Sequence, residues 1–196
     1  MSLQIHMEDF IKYFSGNDLS IDKAKFDKFG LKAKLTHYQK GQKLVSQGQP
    51  APKLFFLIKG MVRYMSVSAE GKEFTQSFAY APGISGSTRA MTINVNALFS
   101  IEALDDVICL EFDWLVFFEH MQSQPGFMAA YNRLLENMFI KKEEREYAFV
   151  QQSAEQRYLT FLDKNPELGN KIPLKMIASH IGITPIALSR IRNKLK

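Results

Sequence analysis

The last two dozen residues, Pro173 to Lys196 (PLKMIASHIGITPIALSRIRNKLK), restrict the fold more than any other stretch. Leu174, Ile177, Ala178 and Ile181 recur at helical spacing and so share one face. Gly182 stands where that helix must stop, because a residue without a Cβ enters the left-handed region at no steric cost. Thr184 is a good N-cap for a second helix, and Pro185 at its first position loses no hydrogen bond. Ala187, Leu188, Ile191 and Leu195 are then expected to bury against the first helix. Pro185, Ile186, Ser189, Arg190 and Asn193 are left facing outward. The expected unit is a helix-turn-helix.

The charge is concentrated in the same place. Lys171, Lys175, Arg190, Arg192, Lys194 and Lys196 face no Asp or Glu between residue 171 and Lys196, and they outweigh the +5 of the whole chain. The remainder is therefore slightly acidic, and the basic tail reads as a footprint for phosphate rather than a general solubility charge. Double-stranded DNA is the implied partner. His180, beside the basic helices, is placed either against phosphate or as a cap on the first helix.

At 196 residues and 46% hydrophobic composition, the chain can build one large core or two small ones. No apolar run approaches the roughly 20 residues that span a bilayer. The N-terminus, MSLQIHMEDF, lacks the basic and apolar regions of a secretory signal. The lone Cys109 excludes an intrachain disulfide and suits a reducing compartment. These features predict a cytoplasmic protein without a membrane association. His6, His37 and His120 have no ligand companions in sequence and are expected at the surface or in structural hydrogen bonds, so no metal and no cofactor is expected.

Residues 3–14 place Ile5, Phe10, Ile11 and Phe14 near one helical face, and Ser20–Leu31 does the same with Ile21, Ala24, Phe26 and Phe29 before a stop at Gly30. From about 35 to 112 the period becomes that of strands. Phe74, Gln76, Phe78 and Tyr80 alternate with Glu73, Thr75, Ser77 and Ala79. Ile108, Leu110 and Phe112 alternate with Val107, Cys109 and Glu111. Leu54–Ile58 is a continuous apolar run, suited to a strand buried on both faces. Turn signals fall at Gly41, Gly48, Gly60, Gly71, Gly83 and Gly86 and at Asp105-Asp106. The expectation is a jelly-roll β-roll.

Helical spacing returns after Phe112. Trp114–Met121 is one short helix, and Pro125 opens a longer one, running to about residue 150. Along it Phe127, Met128, Tyr131, Leu134, Leu135 and Met138 form a stripe, followed by the charge-dense KKEEREY with Lys141/Arg145 and Lys142/Glu146 at pairing distance. The stripe fits either a symmetry mate in a homodimer or the chain's own β-roll. Ser153-Ala-Glu-Gln156 is a capping box that starts a fresh helix, ended by Pro166 and Gly169. The overall class is α+β: a β-roll with its long helix over residues 1–150, then a helix-turn-helix domain over 151–196.

This order resembles the cyclic-AMP receptor/fumarate-nitrate regulator (Crp/Fnr) family of bacterial transcription factors. The resemblance covers nearly the whole chain. It rests on K-G-Q at Lys40–Gln42, S-Q-G-Q at Ser46–Gln49, L-F-F-L-I-K-G at Leu54–Gly60, E-G-K at Glu70–Lys72, S-A-E-Q-R-Y at Ser153–Tyr158 and I-A-S-H-I-G-I-T at Ile177–Thr184. It implies a cyclic-nucleotide-binding-like sensor domain, a homodimer, a small-molecule effector and contact with RNA polymerase. Family members that bind cyclic nucleotide use a Gly-Glu pair for the ribose and a following Arg-Ser or Arg-Thr for the phosphate. The matching positions here are Gly86-Ser87 and Ala97-Leu98, with Thr88 and Arg89 between them in the same segment. A hydroxyl replaces the carboxylate and a methyl replaces the guanidinium. Without its Arg partner a buried phosphate would cost several kcal/mol, so binding of cyclic AMP in the usual manner is not expected. Arg89 and Arg63 are the substitute cations within reach in sequence. Iron–sulfur sensing needs a cysteine cluster that this chain lacks.

At the DNA end the resemblance maps the base-reading positions onto Pro185, Ile186 and Arg190. Arg190 alone keeps the family's chemistry, a bidentate contact to a guanine edge, while Ile186 suits a thymine methyl. Lys175, Thr184, Ser189, Asn193 and Lys194 complete the expected DNA-contacting set. The chain stops soon after, so the β-hairpin wing that many relatives add is expected to be missing. No nucleophile with a nearby base and no phosphate loop suggests an enzyme. The competing class is a ligand-sensing module that acts through a protein partner, with the helical tail as its docking surface.

Overall fold

The computed structural model describes residues 3–15, 33–166 and 168–195. The helix expected over Ser20–Leu31 lies outside them. The described elements run α1 (Leu3–Ser15), β1 (Lys34–Tyr38), β2 (Lys43–Val45), β3 (Lys53–Lys59), β4 (Met61–Val67), β5 (Glu73–Tyr80), β6 (Gly83–Gly86), α2 (Thr88–Ile93), β7 (Ser100–Ala103), β8 (Val107–Asp113), α3 (Trp114–Met121), α4 (Phe127–Gln151), α5 (Ala154–Lys164), α6 (Leu168–Lys171), α7 (Leu174–His180) and α8 (Pro185–Lys194).

Two four-stranded sheets, ordered β1-β8-β3-β6 and β2-β7-β4-β5, make the jelly roll. The uninterrupted apolar run of β3 follows from its position between two cores. Leu54 and Phe56 enter one cluster with Phe10, Leu110, Phe112, Trp114 and Phe117. Phe55 and Leu57 enter the other with Val62, Ile101, Val107 and Cys109. β8 is buried on both faces in the same way, so its alternation separates two cores rather than core from solvent. Of its two carboxylates, Asp113 at its end is exposed, whereas Glu111 is 4% exposed. Burial opposes its ionised form, but the Lys53 ammonium at 2.8 Å and the Thr36 hydroxyl outweigh that and hold its carboxyl below the usual range. Gly60, at φ +92°, makes the tight β3–β4 turn, where a Cβ would stand 2.6 Å from the Asp106 carbonyl.

The chain divides into two compact units: residues 1–64 with 78–136, and residues 65–77 with 137–196. The division falls inside α4, before the helix break at residues 152–153, and it assigns the tip of the β4–β5 hairpin to the second unit. No described helix is long and apolar enough to cross a membrane.

Several expectations need correction. Gly83 and Gly86 bracket strand β6 and do not form turns. β5 forms where the strand period predicts it, but its burial does not alternate: Thr75 is 3% exposed, Gln76 to Ala79 are all half-buried, and Phe74 and Tyr80 lie open. His6 is buried under α1, beside Asp9 at 3.8 Å, whereas Ile5 is exposed. Residues 125–126 form a turn, and α4 begins at Phe127. Asn165 caps the end of α5, and Gly169 lies within α6 rather than ending a helix. The quoted stripe on α4 splits: Phe127, Tyr131 and Leu134 pack into the chain's own aromatic core. Phe139, Ile140, Tyr147 and Val150 are exposed, and at 100° per residue they share one side of the second half of the helix.

Candidate nucleic-acid interface and effector locus

The second unit carries the helix-turn-helix, and its local chemistry follows the sequence closely. Ser153 accepts from the Gln156 amide while the Gln156 side chain accepts from the Ser153 amide, a full capping box at the start of α5. Helix α7 ends in a Schellman closure: the Ile183 amide donates to the Ala178 carbonyl at 2.9 Å and the Gly182 amide to the Ser179 carbonyl at 3.2 Å. Gly182 takes φ +77° there. The Thr184 hydroxyl accepts from the Ala187 amide at 3.2 Å and Pro185 occupies the first turn of α8.

Ile177, Ala178, Ile181 and Leu188 are buried between the two helices. Pro185, Ile186, Ser189, Arg190 and Asn193 are all exposed on one side of α8, with Ile186 at 68%. Lys175 is exposed on α7. Two sequence expectations differ. Leu195 is exposed rather than buried, because α8 ends at Lys194 and Leu195 lies past the buried seam. Lys194 reaches Glu155 of α5 at 2.8 Å, so part of its charge is already answered within the unit. Glu144 likewise answers Lys164.

His180 is neither on the outer face nor a side-chain cap. Its Nδ1 lies 3.0 Å from the Gln76 carbonyl of β5 and its ring 5.5 Å from the Phe161 ring. Burial, with the Arg145 guanidinium close by, pushes its pKa down to about 4. The Gln76 carbonyl can only accept, which calls for the proton of the neutral imidazole on Nδ1; the Arg145 Nη1, itself only a donor, lies 3.3 Å from the same nitrogen, farther than the carbonyl. Arg145, whose neighbour at pairing distance along α4 is the like-charged Lys141 and so repels it, donates instead to the His180 carbonyl at 3.1 Å.

Arg157 makes a matching clamp, donating to the Ile181 carbonyl at 2.9 Å and to the Gln152 carbonyl at 2.6 Å. The Phe149 ring lies between the two guanidiniums, at 4.7 Å from Arg145 and 5.0 Å from Arg157. From the sequence Arg145 stood out only for its spacing on α4, and Phe149 not at all. The S-A-E-Q-R-Y motif contains Arg157, but nothing local says that it reaches the turn of the helix-turn-helix.

In the first unit, Ser87 is 1% exposed and caps α2, accepting from the Ala90 amide. Gly86 donates to the Tyr64 hydroxyl, which also bonds Ser85 at 2.7 Å. Thr88 opens α2 and its carbonyl accepts from the Thr92 hydroxyl. Ala97 is 2% exposed and held by backbone bonds to Gly48 and Gln49, whereas Leu98 is 62% exposed. Neither substitute cation is disengaged. Arg63 is 3% exposed with its guanidinium on Glu102, and Arg89 donates to the Asn96 carbonyl at 3.0 Å. Cys109 is fully buried, and its thiol is pushed up to about 12 by burial and by Glu111. Among the described residues no group of His, Cys, Asp and Glu is arranged to hold a metal.

Residues 35–124 match the family model of the cyclic nucleotide-binding domain. The chain as a whole has the Crp/Fnr fold. It superposes on FixK2 from Bradyrhizobium japonicum with a TM-score of 0.72 at 15% identity, covering 83% of this chain and 84% of that one. A transcriptional regulator assigned to the Crp/Fnr family from Eubacterium rectale gives 0.71 at 16%, covering 89% and 83%. CooA from Carboxydothermus hydrogenoformans, as a double mutant, gives 0.69 at 21%, covering 84% and 77%. No curated protein matches by sequence. The segment from Gly86 to Leu98, onto which the sequence resemblance maps the nucleotide contacts, lies within the matched residues.

Proposed function

We propose that the chain is a homodimeric transcriptional regulator that reads a pseudo-palindromic duplex site with α8. The observation that carries this reading is the exposed row Pro185, Ile186, Ser189, Arg190 and Asn193 on a helix whose opposite side is sealed by Leu188. In this reading Arg190 pairs with a guanine edge and Ile186 meets a thymine methyl. Thr184 and Lys175 hold phosphates, with Lys194 joining them once it leaves Glu155. The exposed Phe139, Ile140, Tyr147 and Val150 form the seam for a second copy, which sets the two α8 helices about 34 Å apart. RNA polymerase is a further partner if the regulator activates.

The domain takes an effector, if any, by other means than the family's cyclic nucleotide contacts. A methyl at Ala97, an exposed Leu98 and a Ser87 already engaged as a helix cap supply neither a phosphate partner nor a ribose carboxylate. The FixK2-like fold fits a regulator of this kind, and the Xanthomonas campestris regulator CLP, of similar fold at 13% identity, is described as responsive to c-di-GMP.

The test is selection of binding sites from random duplexes, followed by gel shifts. Arg190→Ala is expected to cost about 1–3 kcal/mol and relax choice at one position. Unaltered sequence preference in that variant would count against the reading. Binding that is insensitive to salt would instead favour a helical tail that docks on a protein.

A further inference from the structure

The second unit contains a piece of chain that its sequence gives no reason to place there. Residues 65–77, the tip of the β4–β5 hairpin, cluster with residues 137–196. The contacts are specific. The Thr75 amide donates to the Ser179 hydroxyl at 2.8 Å. One residue further along each segment, the His180 imidazole meets the Gln76 carbonyl at 3.0 Å. Ser179 and His180 are the last two residues of α7, directly before the turn that aims α8. The hairpin therefore binds the helix-turn-helix through its own backbone, at the point where a small rotation of α7 would swing the reading helix. Arg145 holds the same corner from the long helix.

A second observation concerns polar atoms without partners. The Oγ1 of Thr75 and the Oε1 of Gln152 are buried with no hydrogen-bond partner among the described residues. One sits at the hairpin joint and the other at the α4–α5 joint, the two places where the reader is attached. An unsatisfied buried polar atom is costly, so each of these two joints carries a local cost that a shift of the reader could relieve. Meanwhile the outer face of α8 is uncovered in this arrangement, so the hairpin does not mask it.

We propose that residues 65–77 are a clasp that orients the helix-turn-helix for DNA, through the Thr75–Ser179 and Gln76–His180 hydrogen bonds. Its partner is the C-terminal end of α7, and its effect is preorganisation: the clasped reader has less orientational freedom to lose on binding. By linkage, duplex DNA must in turn tighten the clasp. The DNA arm of this proposal rests on the function proposed above, and the exchange arm does not.

The test uses the full chain in hydrogen–deuterium exchange, with and without a duplex carrying the selected site, alongside anisotropy titrations. Ser179→Ala removes the acceptor of the Thr75 amide. Exchange over residues 73–77 is expected to rise on the order of tenfold, with a parallel rise over 177–183. Affinity for the duplex is expected to fall several-fold. His180→Leu should do the same, and His180→Gln, whose side-chain amide can still donate to the Gln76 carbonyl, should recover much of the loss. Duplex added to the unsubstituted protein should slow exchange over 73–77.

Loosening confined to 73–77, with 177–183 and duplex affinity unchanged, would overturn the clasp. So would tighter DNA binding in Ser179→Ala. If the chain binds no duplex at all, the function proposed above fails, and joint or separate loosening of the two segments still decides whether the clasp exists.

Discussion

Gly182→Ala tests the packing of the turn between α7 and α8, because two independent costs meet at one position. The first is conformational. At φ +77° an alanine pays about 1–2 kcal/mol for the left-handed region. The second is steric. A Cβ built on Gly182 would stand 2.5 Å from Cε1 of Phe149, a ring held between Arg145 and Arg157. Relieving such overlap, by shifting the ring or the turn, costs about 1–3 kcal/mol. Against these, alanine lowers the entropy of the unfolded chain, a gain of about 0.4–1 kcal/mol. The net destabilisation is about 1–5 kcal/mol, a fall of roughly 2–20 °C in melting temperature for a chain of this length. Urea denaturation followed by far-ultraviolet circular dichroism measures it. Phe149→Leu separates the two costs. In that background the steric part should vanish and the backbone part remain, so the double mutant should be more stable than the sum of the singles by about 1–3 kcal/mol. Additivity within about 0.5 kcal/mol would mean that the ring does not block the turn, and the argument would fail.

His180 predicts an acid-sensitive second unit. Its folded pKa of about 4 lies below its ordinary 6.5, so the unfolded chain takes up the proton first. Stability is intact above pH 6.5, falls as pH drops towards 4, and loses at most about 3 kcal/mol through this group. His180→Gln should flatten that slope in denaturant melts at stepped pH, and an imidazole NMR resonance titrating near 6.5 would refute the burial argument. Arg63→Leu should destabilise the first unit by about 3 kcal/mol, by leaving Glu102 with its main partner gone. The double substitution with Glu102→Leu should recover part of that loss, as read by calorimetry. Lys175→Ala should weaken binding to all duplexes alike and reduce the slope of affinity against salt by about one ion, whereas sequence-selective loss would contradict a phosphate contact.

The sequence by itself determined everything that local chemistry fixes. The left-handed stop at Gly182, the Thr184 cap and the capping box at Ser153 are short-range hydrogen-bonding devices, and each residue type is there because the backbone a few positions away requires it. The outward row on α8 followed from the same helical spacing, and the double burial of β3 from an apolar run too continuous for a one-sided strand. Only the tertiary structure decided where long side chains and strand faces end up. Arg145 has no carboxylate three or four residues away on α4, and nothing local to it records that it reaches the His180 carbonyl. β5 formed where the strand period predicts it, yet Thr75 turned inward and Phe74 outward; the Thr75 amide meets Ser179, more than a hundred residues further along the chain. Phe127, Tyr131 and Leu134 of the α4 stripe went into the chain's own aromatic core, and the row left exposed further along, Phe139, Ile140, Tyr147 and Val150, is one that the stripe did not include. Period and capping are properties of neighbours in sequence; which face meets which partner depends on contacts between residues far apart in the chain, and no local pattern records them.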